Sequence, residues 1–274
     1  MTPPFSARAQ RVLAASELPI ILLLCWMAFI AIPISLGKIG LSWDALNHHF
    51  YLGWVAEQPR FDRDFMAVSY QAYQFPYLYW PVHKLAAAGL SGAAAGIVLA
   101  TLSCLAVPPV WMIARRCMPG AGWFDAAMRA LAVALAFMSG LVLSMFDSTS
   151  NDLFAAIPFV WSLAFAVQAL GRDADAVSAR RAVMLSGLLA GASVACKLSN
   201  GPLALLLPAL WSLSAQTARA RLAAVIVGGL ATAVGFLLAY GYWGWKVWQV
   251  FGNPVYPFSD PSFAPVRAFF GWQP

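Results

Sequence analysis

The chain has 274 residues, 61% of them hydrophobic and 10% charged, with 17 Lys and Arg against 11 Asp and Glu for a net charge of +6. Soluble domains carry about 25% charged residues, so this deficit excludes an ordinary soluble globular class and places the chain among integral membrane proteins. The basic excess sits in short clusters between apolar runs, which fits membrane topology and argues against nucleic acid as a partner.

The N-terminal stretch MTPPFSARAQR is short and basic. The apolar run after it, about 18–36, is longer than the apolar core of a cleavable signal and reads as an uncleaved first span. A polar and aromatic loop occupies 38–83. A second span is expected over about 85–114, kinked near its end by Pro108-Pro109. Arg115, Arg116 and Arg129 bracket a short loop, and a third span follows at about 130–146. The link DSTSND, 147–152, leads to a fourth span at about 153–170, and the charged stretch 171–181 forms the next loop.

Residues 182–213 would make one helix about 48 Å long, against a hydrocarbon core of about 30 Å. Lys197 and the turn signal Asn200-Gly201-Pro202 interrupt them, so they read as two short spans meeting in a hairpin at 197–201. A last span is expected at about 222–243, before an aromatic and proline-rich tail. The expected architecture is all-α, a polytopic transmembrane helix bundle of about seven spans. It forms a single domain over 1–274, with an outer loop at 38–83 carrying short amphipathic helices and an outer segment at 244–274.

The positive-inside rule orients this arrangement with a cytoplasmic N-terminus, since ten arginines fall on inner segments against seven basic residues on outer ones. The unusual polar clusters at 41–54, 147–152, Lys197 and 252–260 then share one outer side. The four cysteines, Cys25, Cys104, Cys117 and Cys196, suit neither a zinc site nor a disulfide framework and read as packing residues.

In LSWDALNHHFYLGW, residues 41–54, Ser42 suits a helix N-cap and Asp44 the first turn. At helical spacing Trp43, Leu46, Phe50 and Trp54 share one face, and Asp44, Asn47, His48 and Tyr51 share another. That second face either lines a cleft or meets water at the membrane surface. Residues 61–83 carry eight aromatics with Asp62, Gln71, Gln74 and His83, which suit an interfacial belt or a sugar-stacking surface. DSTSND serves as a polar turn or brings Asp147, Asn151 and Asp152 to an outer-edge site, where the paired carboxylates suit a metal. Lys197 either snorkels to the interface or, with Ser199 and Asn200, binds an anion such as a phosphate headgroup.

Two features carry a family resemblance. One is an acidic residue soon after span 1 in a long aromatic outer loop. The other is GLLAGASVACKLSNGPLALLLPALW, a small-residue span ending in lysine with a Gly-Pro restart. With FGNPVYPFSD near the C-terminus, they resemble GT-C-type membrane glycosyltransferases that use polyprenyl-phosphate donors. The resemblance implies sugar transfer from that carrier to a glycan, lipid or protein acceptor at the outer face of the plasma (bacterial inner) membrane. It implies Asp44 as general base and Lys197 as the grip on the donor phosphate, with His48, His49 and Asp152 as lesser candidates. No cofactor is demanded, and a divalent cation is the alternative to a basic side chain for the leaving phosphate. Members of that family are longer, with several spans after the Asn-Pro segment, so the chain is expected to be the N-terminal part of such an enzyme, a truncated frame or half of a split protein. A transporter or lipid-handling protein, and a non-catalytic assembly subunit, are the competing readings.

Overall fold

Backbone polar groups in hydrocarbon have no water to bond, so apolar runs satisfy them internally as helices. The computed structural model describes residues 7–61, 63–64, 71–171 and 175–272, with the backbone alone for 7–11. Asp62 and Arg172 lie outside the described residues. Every regular element among those residues is helical. In chain order, α1 is Ala7–Leu36, and α2 (Phe50–Val55) and α3 (Trp80–Ala87) lie in the first long connection. There follow α4 (Gly92–Ser103), α5 (Val107–Cys117), α6 (Trp123–Phe137), α7 (Gly140–Leu143), α8 (Asp152–Ala169) and α9 (Ala176–Cys196). The chain closes with α10 (Gly201–Ala204), α11 (Leu207–Leu213), α12 (Ala218–Phe251) and α13 (Asp260–Phe269).

Among the described residues five helical stretches are long and apolar enough to cross a bilayer: Val12–Leu36, Gly92–Cys117, Asp152–Ala169, Ala176–Cys196 and Ala218–Phe251. The shortest has 18 residues, or about 27 Å. Two other stretches that the sequence counts as spans are interrupted. In the first, Ser139 breaks the helix and recaps it, its hydroxyl accepting the Val142 N–H at 3.3 Å. In the second, Pro208 at the start of α11 offers no N–H, and the helix pauses at Leu205 and Leu206.

Contacts between side chains give the directions. Pro33, Trp26 and Glu17 of α1 meet Gly96, Thr101 and Trp111 in turn, so α4–α5 run antiparallel to α1. α6 starts beside Met118 and Gly120, which accept hydrogen bonds from Arg129, and the chain after α7 reaches Gly40, whose N–H meets the Asp147 carbonyl at 2.5 Å. α8 descends and α9 returns, with Ser193 donating to the Ala155 carbonyl (2.8 Å) and Ser162 to the Ser186 carbonyl (2.7 Å). Such interhelical hydroxyl bonds hold helices together where lipid gives no hydrophobic drive. One end of the bundle therefore holds Leu36, Gly92, Asp147, Asp152 and Lys197. The other holds Glu17, Cys117, Ala169, Ala176 and Leu213.

α9 and α12 lie against each other through glycine. A Cβ on Gly191 would collide with the Thr232 carbonyl, and one on Gly235 with the Leu188 carbonyl. The pair Gly187 and Gly191 is the small-residue spacing that lets membrane helices touch backbone to backbone. α12 runs past the expected end at 243 because Trp243 and Val247, 1% and 0% exposed, are buried against the first connection.

At the opposite end lies an ion pair the sequence spans did not anticipate. Arg129 does not flank a loop; it sits in the second turn of α6, 3% exposed. Its Nε and Nη2 donate to Glu17 Oε1 and Oε2, both at 2.7 Å, and Nη1 donates to the carbonyls of Met118 and Gly120. Trp111 Nε1 donates to the same carboxylate at 2.7 Å. Losing one partner of such a pair leaves a bare buried charge, at a cost of about 3–5 kcal/mol, whereas replacing both with apolar groups is often neutral. Glu17→Ala is therefore expected to lower the thermal unfolding midpoint of the detergent-solubilised protein sharply. The double variant Glu17→Met/Arg129→Met should recover most of that loss. Equal losses in both would show that the pairing is not what counts.

Candidate functional site

The site begins with a helix that opens as the sequence suggests. Ser42 Oγ accepts the Ala45 N–H at 3.1 Å, and Asp44 lies in the first turn. The helix then widens into a single π-turn over Ala45–His49. Such turns are rare and concentrate at functional sites. The wider turn takes in one more residue and sends both histidines inward, His48 at 4% and His49 at 6% exposed. Their rings meet edge-on at 4.5 Å, and His49 stacks on Tyr79 at 4.7 Å. His49 Nδ1 shares a 2.6 Å hydrogen bond with the Thr149 hydroxyl. His48 Nδ1 has no hydrogen-bond partner among the described residues and lies 3.8 Å from Asp44 Oδ1. The Asp44 side chain is 55% exposed.

The link before α8 supplies the second wall. Thr149 and Asn151 are buried, and Asn151 hydrogen-bonds Tyr79. Asp152 opens α8, where a negative charge suits the helix dipole. One carboxylate oxygen accepts the Ser150 hydroxyl at 2.5 Å and the other the Lys197 ammonium. Lys197 is itself in extended backbone, the residue at which α9 stops. Asn200 pins the turn that follows: its amide donates to Ser193 Oγ (2.8 Å) and to the carbonyls of Ala155 (3.1 Å) and Ser193 (3.3 Å).

Beside Lys197 lies a cavity of about 270 Å³, walled by Asn151, Tyr73, Tyr240, Tyr256 and Phe258. The fully buried Asn253 shapes its far side, donating to the Phe258 carbonyl (3.0 Å) and Asp260 (3.2 Å) and accepting the Val255 N–H (3.0 Å). Trp243 Nε1 donates to the Tyr73 carbonyl at 3.0 Å and so anchors the aromatic segment.

Asp44, His48, His49, Asp152 and Lys197 are thus brought together at one end of the bundle. Asp44, Asp152 and Lys197 all act electrostatically on His49, and Asp44 and Asp152 on Tyr79. Asn47 is exposed, its amide spent on the Trp43 carbonyl at 2.7 Å. Tyr51 turns away to hydrogen-bond Asp64, and burial with that carboxylate pushes its phenol up to about 12. Asn200 serves the turn. Asn151, which the sequence places at the outer edge with Asp152, is buried there against Tyr79. The sequence reading missed Tyr79 and Thr149, which carry no local signature beyond their polar-aromatic setting. Among the described residues no group of three His, Cys, Asp or Glu side chains is placed to hold a metal.

Burial, reinforced by neighbouring His48, pulls the His49 imidazole down to about 4, well below the usual 6.5. Burial also lowers His48, against the opposing pull of Asp44. An exposed histidine takes up a proton below about 6.5 that the folded loop refuses. The stabilisation is therefore complete above that value and is lost as pH falls towards about 4. Amide exchange over 45–55, corrected for its intrinsic pH dependence, is expected to show an opening free energy lower at pH 4.5 than at pH 7 by of order 2 kcal/mol. His49→Asn should flatten that slope; protection that stays constant in the unsubstituted protein would refute the assignment. No family model, curated protein or solved structure matches the chain, so its function rests on this geometry.

Proposed function

We propose that the chain is a GT-C-type membrane glycosyltransferase that moves a sugar from a polyprenyl-phosphate carrier to an acceptor hydroxyl. In this reading all seven segments cross the bacterial inner membrane and the N-terminus is cytoplasmic. The polar end of the bundle then faces outward, where lipid-linked sugars would be used. One observation carries the reading: an exposed carboxylate, Asp44, and Lys197, which lines an aromatic-walled cavity, lie at one end of the bundle and both act on His49.

The chemistry asks for these parts. The acceptor oxygen attacks the sugar C1, and Asp44 takes the hydroxyl proton as general base. The C1–O bond to the carrier breaks, and its electron pair leaves on the phosphate. Lys197 has three N–H donors, of which Asp152 uses one, so it can still meet that phosphate. The tyrosines of the cavity offer flat faces to a sugar ring, and hydroxyls at the ring edges. His48 and His49, neutral at physiological pH, support the loop that presents Asp44.

The Lys197–Asp152 pair also favours a second reading, a lipid-handling protein that binds a phosphate headgroup without group transfer.

In proteoliposomes supplied with a panel of polyprenyl-phosphate hexoses and pentoses, Asp44→Asn is expected to lower transfer by about 10²-fold or more while membrane insertion persists. Lys197→Gln should weaken donor binding in the same system. Turnover by Asp44→Asn equal to that of the unsubstituted chain would remove Asp44 from the base role. Donor binding without transfer by the unsubstituted chain would favour the lipid-handling reading.

A further inference from the structure

At the end of the bundle away from Lys197, the termini of α8, α9, α11 and α12 enclose a cavity of about 650 Å³. That volume falls within the roughly 300–1,000 Å³ typical of small-molecule sites. Its origin lies in side-chain size. Glycine contacts hold α9 against α12 from Gly187 and Gly228 onward, and the Trp211 ring closes this level, lying on Gly228 and donating to Ser186 Oγ at 2.9 Å. Below it the facing side chains are small, chiefly Ala176, Ala179, Ala220 and Ala224, and they leave the space between the helices unfilled.

The surroundings define what could enter. Around the mouth, Val177, Leu213 and Leu222 are 60%, 61% and 62% exposed, as expected of side chains that face hydrocarbon. The rim is polar and cationic. Arg180 lines the cavity with Ser214, Gln216 and Thr217, and it has no ion-pair or hydrogen-bond partner among the described residues. Arg221 donates from Nε to the rim carbonyl of Ala215 at 3.1 Å, which leaves its charge at the mouth. Arg181 and Arg219 are exposed on the same helix starts. The nearby Asp175 caps α9, accepting the Ser178 N–H at 2.8 Å and the Ser178 hydroxyl at 3.0 Å, and its charge acts on Arg181 rather than on Arg180.

We propose that this cavity holds an anionic phospholipid of the leaflet at the arginine-rich end, one acyl chain between α9 and α12 and the phosphate at Arg180. An apolar pocket that opens to lipid beneath a rim rich in guanidinium groups, with Arg180 unpaired among the described residues, matches that one chemistry: a hydrocarbon tail below and a phosphodiester above. The site lies at the far end of the bundle from Asp44 and does not require glycosyl transfer.

Native mass spectrometry of the full chain in detergent, with phosphatidylglycerol or phosphatidylcholine added, tests this. Phosphatidylglycerol should be retained in preference to phosphatidylcholine. Arg180→Gln should weaken phosphatidylglycerol retention about fivefold and leave phosphatidylcholine unchanged. Ala220→Phe, which fills the mouth, should weaken both. Arg180 is exposed and unpaired among the described residues, so its variant carries the test alone if the larger side chain at 220 prevents folding. Equal retention of the two lipids, or no effect of Arg180→Gln, would overturn the proposal. So would efficient cross-linking of Ala220→Cys to a second copy in native membranes, which would make the cavity a protein interface.

Discussion

The C-terminal half of the candidate site depends on α9 stopping at Cys196. A continuous helix would carry the chain after it to the opposite end of the bundle. Instead Lys197 adopts an extended backbone, and the Asn200 amide gathers three acceptors from α8 and α9 into one point. Each such bond contributes only about 1 kcal/mol net, but together they tie the turn to both α8 and α9. Pro202 at the start of α10 then restarts the helix where no N–H is needed. Because of that turn, α12 emerges at the end of the bundle where Asp44 lies. Tyr256 and Phe258 can then close a cavity against Tyr73 and Lys197.

That turn was legible in the sequence because its signals are local: a lysine in an apolar run, then Asn-Gly-Pro. The long apolar helices were legible for the same reason. Arg129 was not. A basic residue near the end of an apolar run looks like a topological flank, and its partner Glu17 precedes the first run; nothing in either neighbourhood announces the other. The π-turn at Ala45–His49 was equally hidden. A regular helix puts Tyr51 beside His48, whereas the wider turn puts His49 there and turns Tyr51 towards Asp64. Periodicity arguments assume a constant turn, so one extra residue rephases everything after it. The length of α12 escaped because hydrophobicity marks the bilayer, while Trp243 and Val247 extend the helix by packing under a loop.

The two main ion pairs of the bundle are unlike each other in a way that separates scaffold from site. Glu17 and Arg129 side chains are each 4% exposed, bidentate, and supplied with additional donors and acceptors. Nothing is left over to engage a ligand. Lys197 and Asp152 are 34% and 48% exposed and joined by a single contact. A pair that open to solvent contributes little to stability. Its charge is therefore available at small cost to whatever enters the neighbouring cavity, as the first pair's is not.

Unmet local demands gather in the same region. Buried side-chain nitrogen and oxygen atoms without a partner occur, among the described residues, at His48, Arg60 and Asp64, all in the first connection. The π-turn and the half-exposed Asp44 lie there too. Elsewhere the bundle meets its polar obligations with care, down to the hydroxyls of Ser162, Ser186 and Ser193. An orphaned buried donor or acceptor costs about 1–3 kcal/mol, and folds tolerate such costs chiefly where binding or chemistry supplies the missing partner. A hydroxyl-bearing ligand held near Asp44 and His48 would supply it, and the unfilled hydrogen-bonding capacity of His48 is what such a ligand would be drawn to.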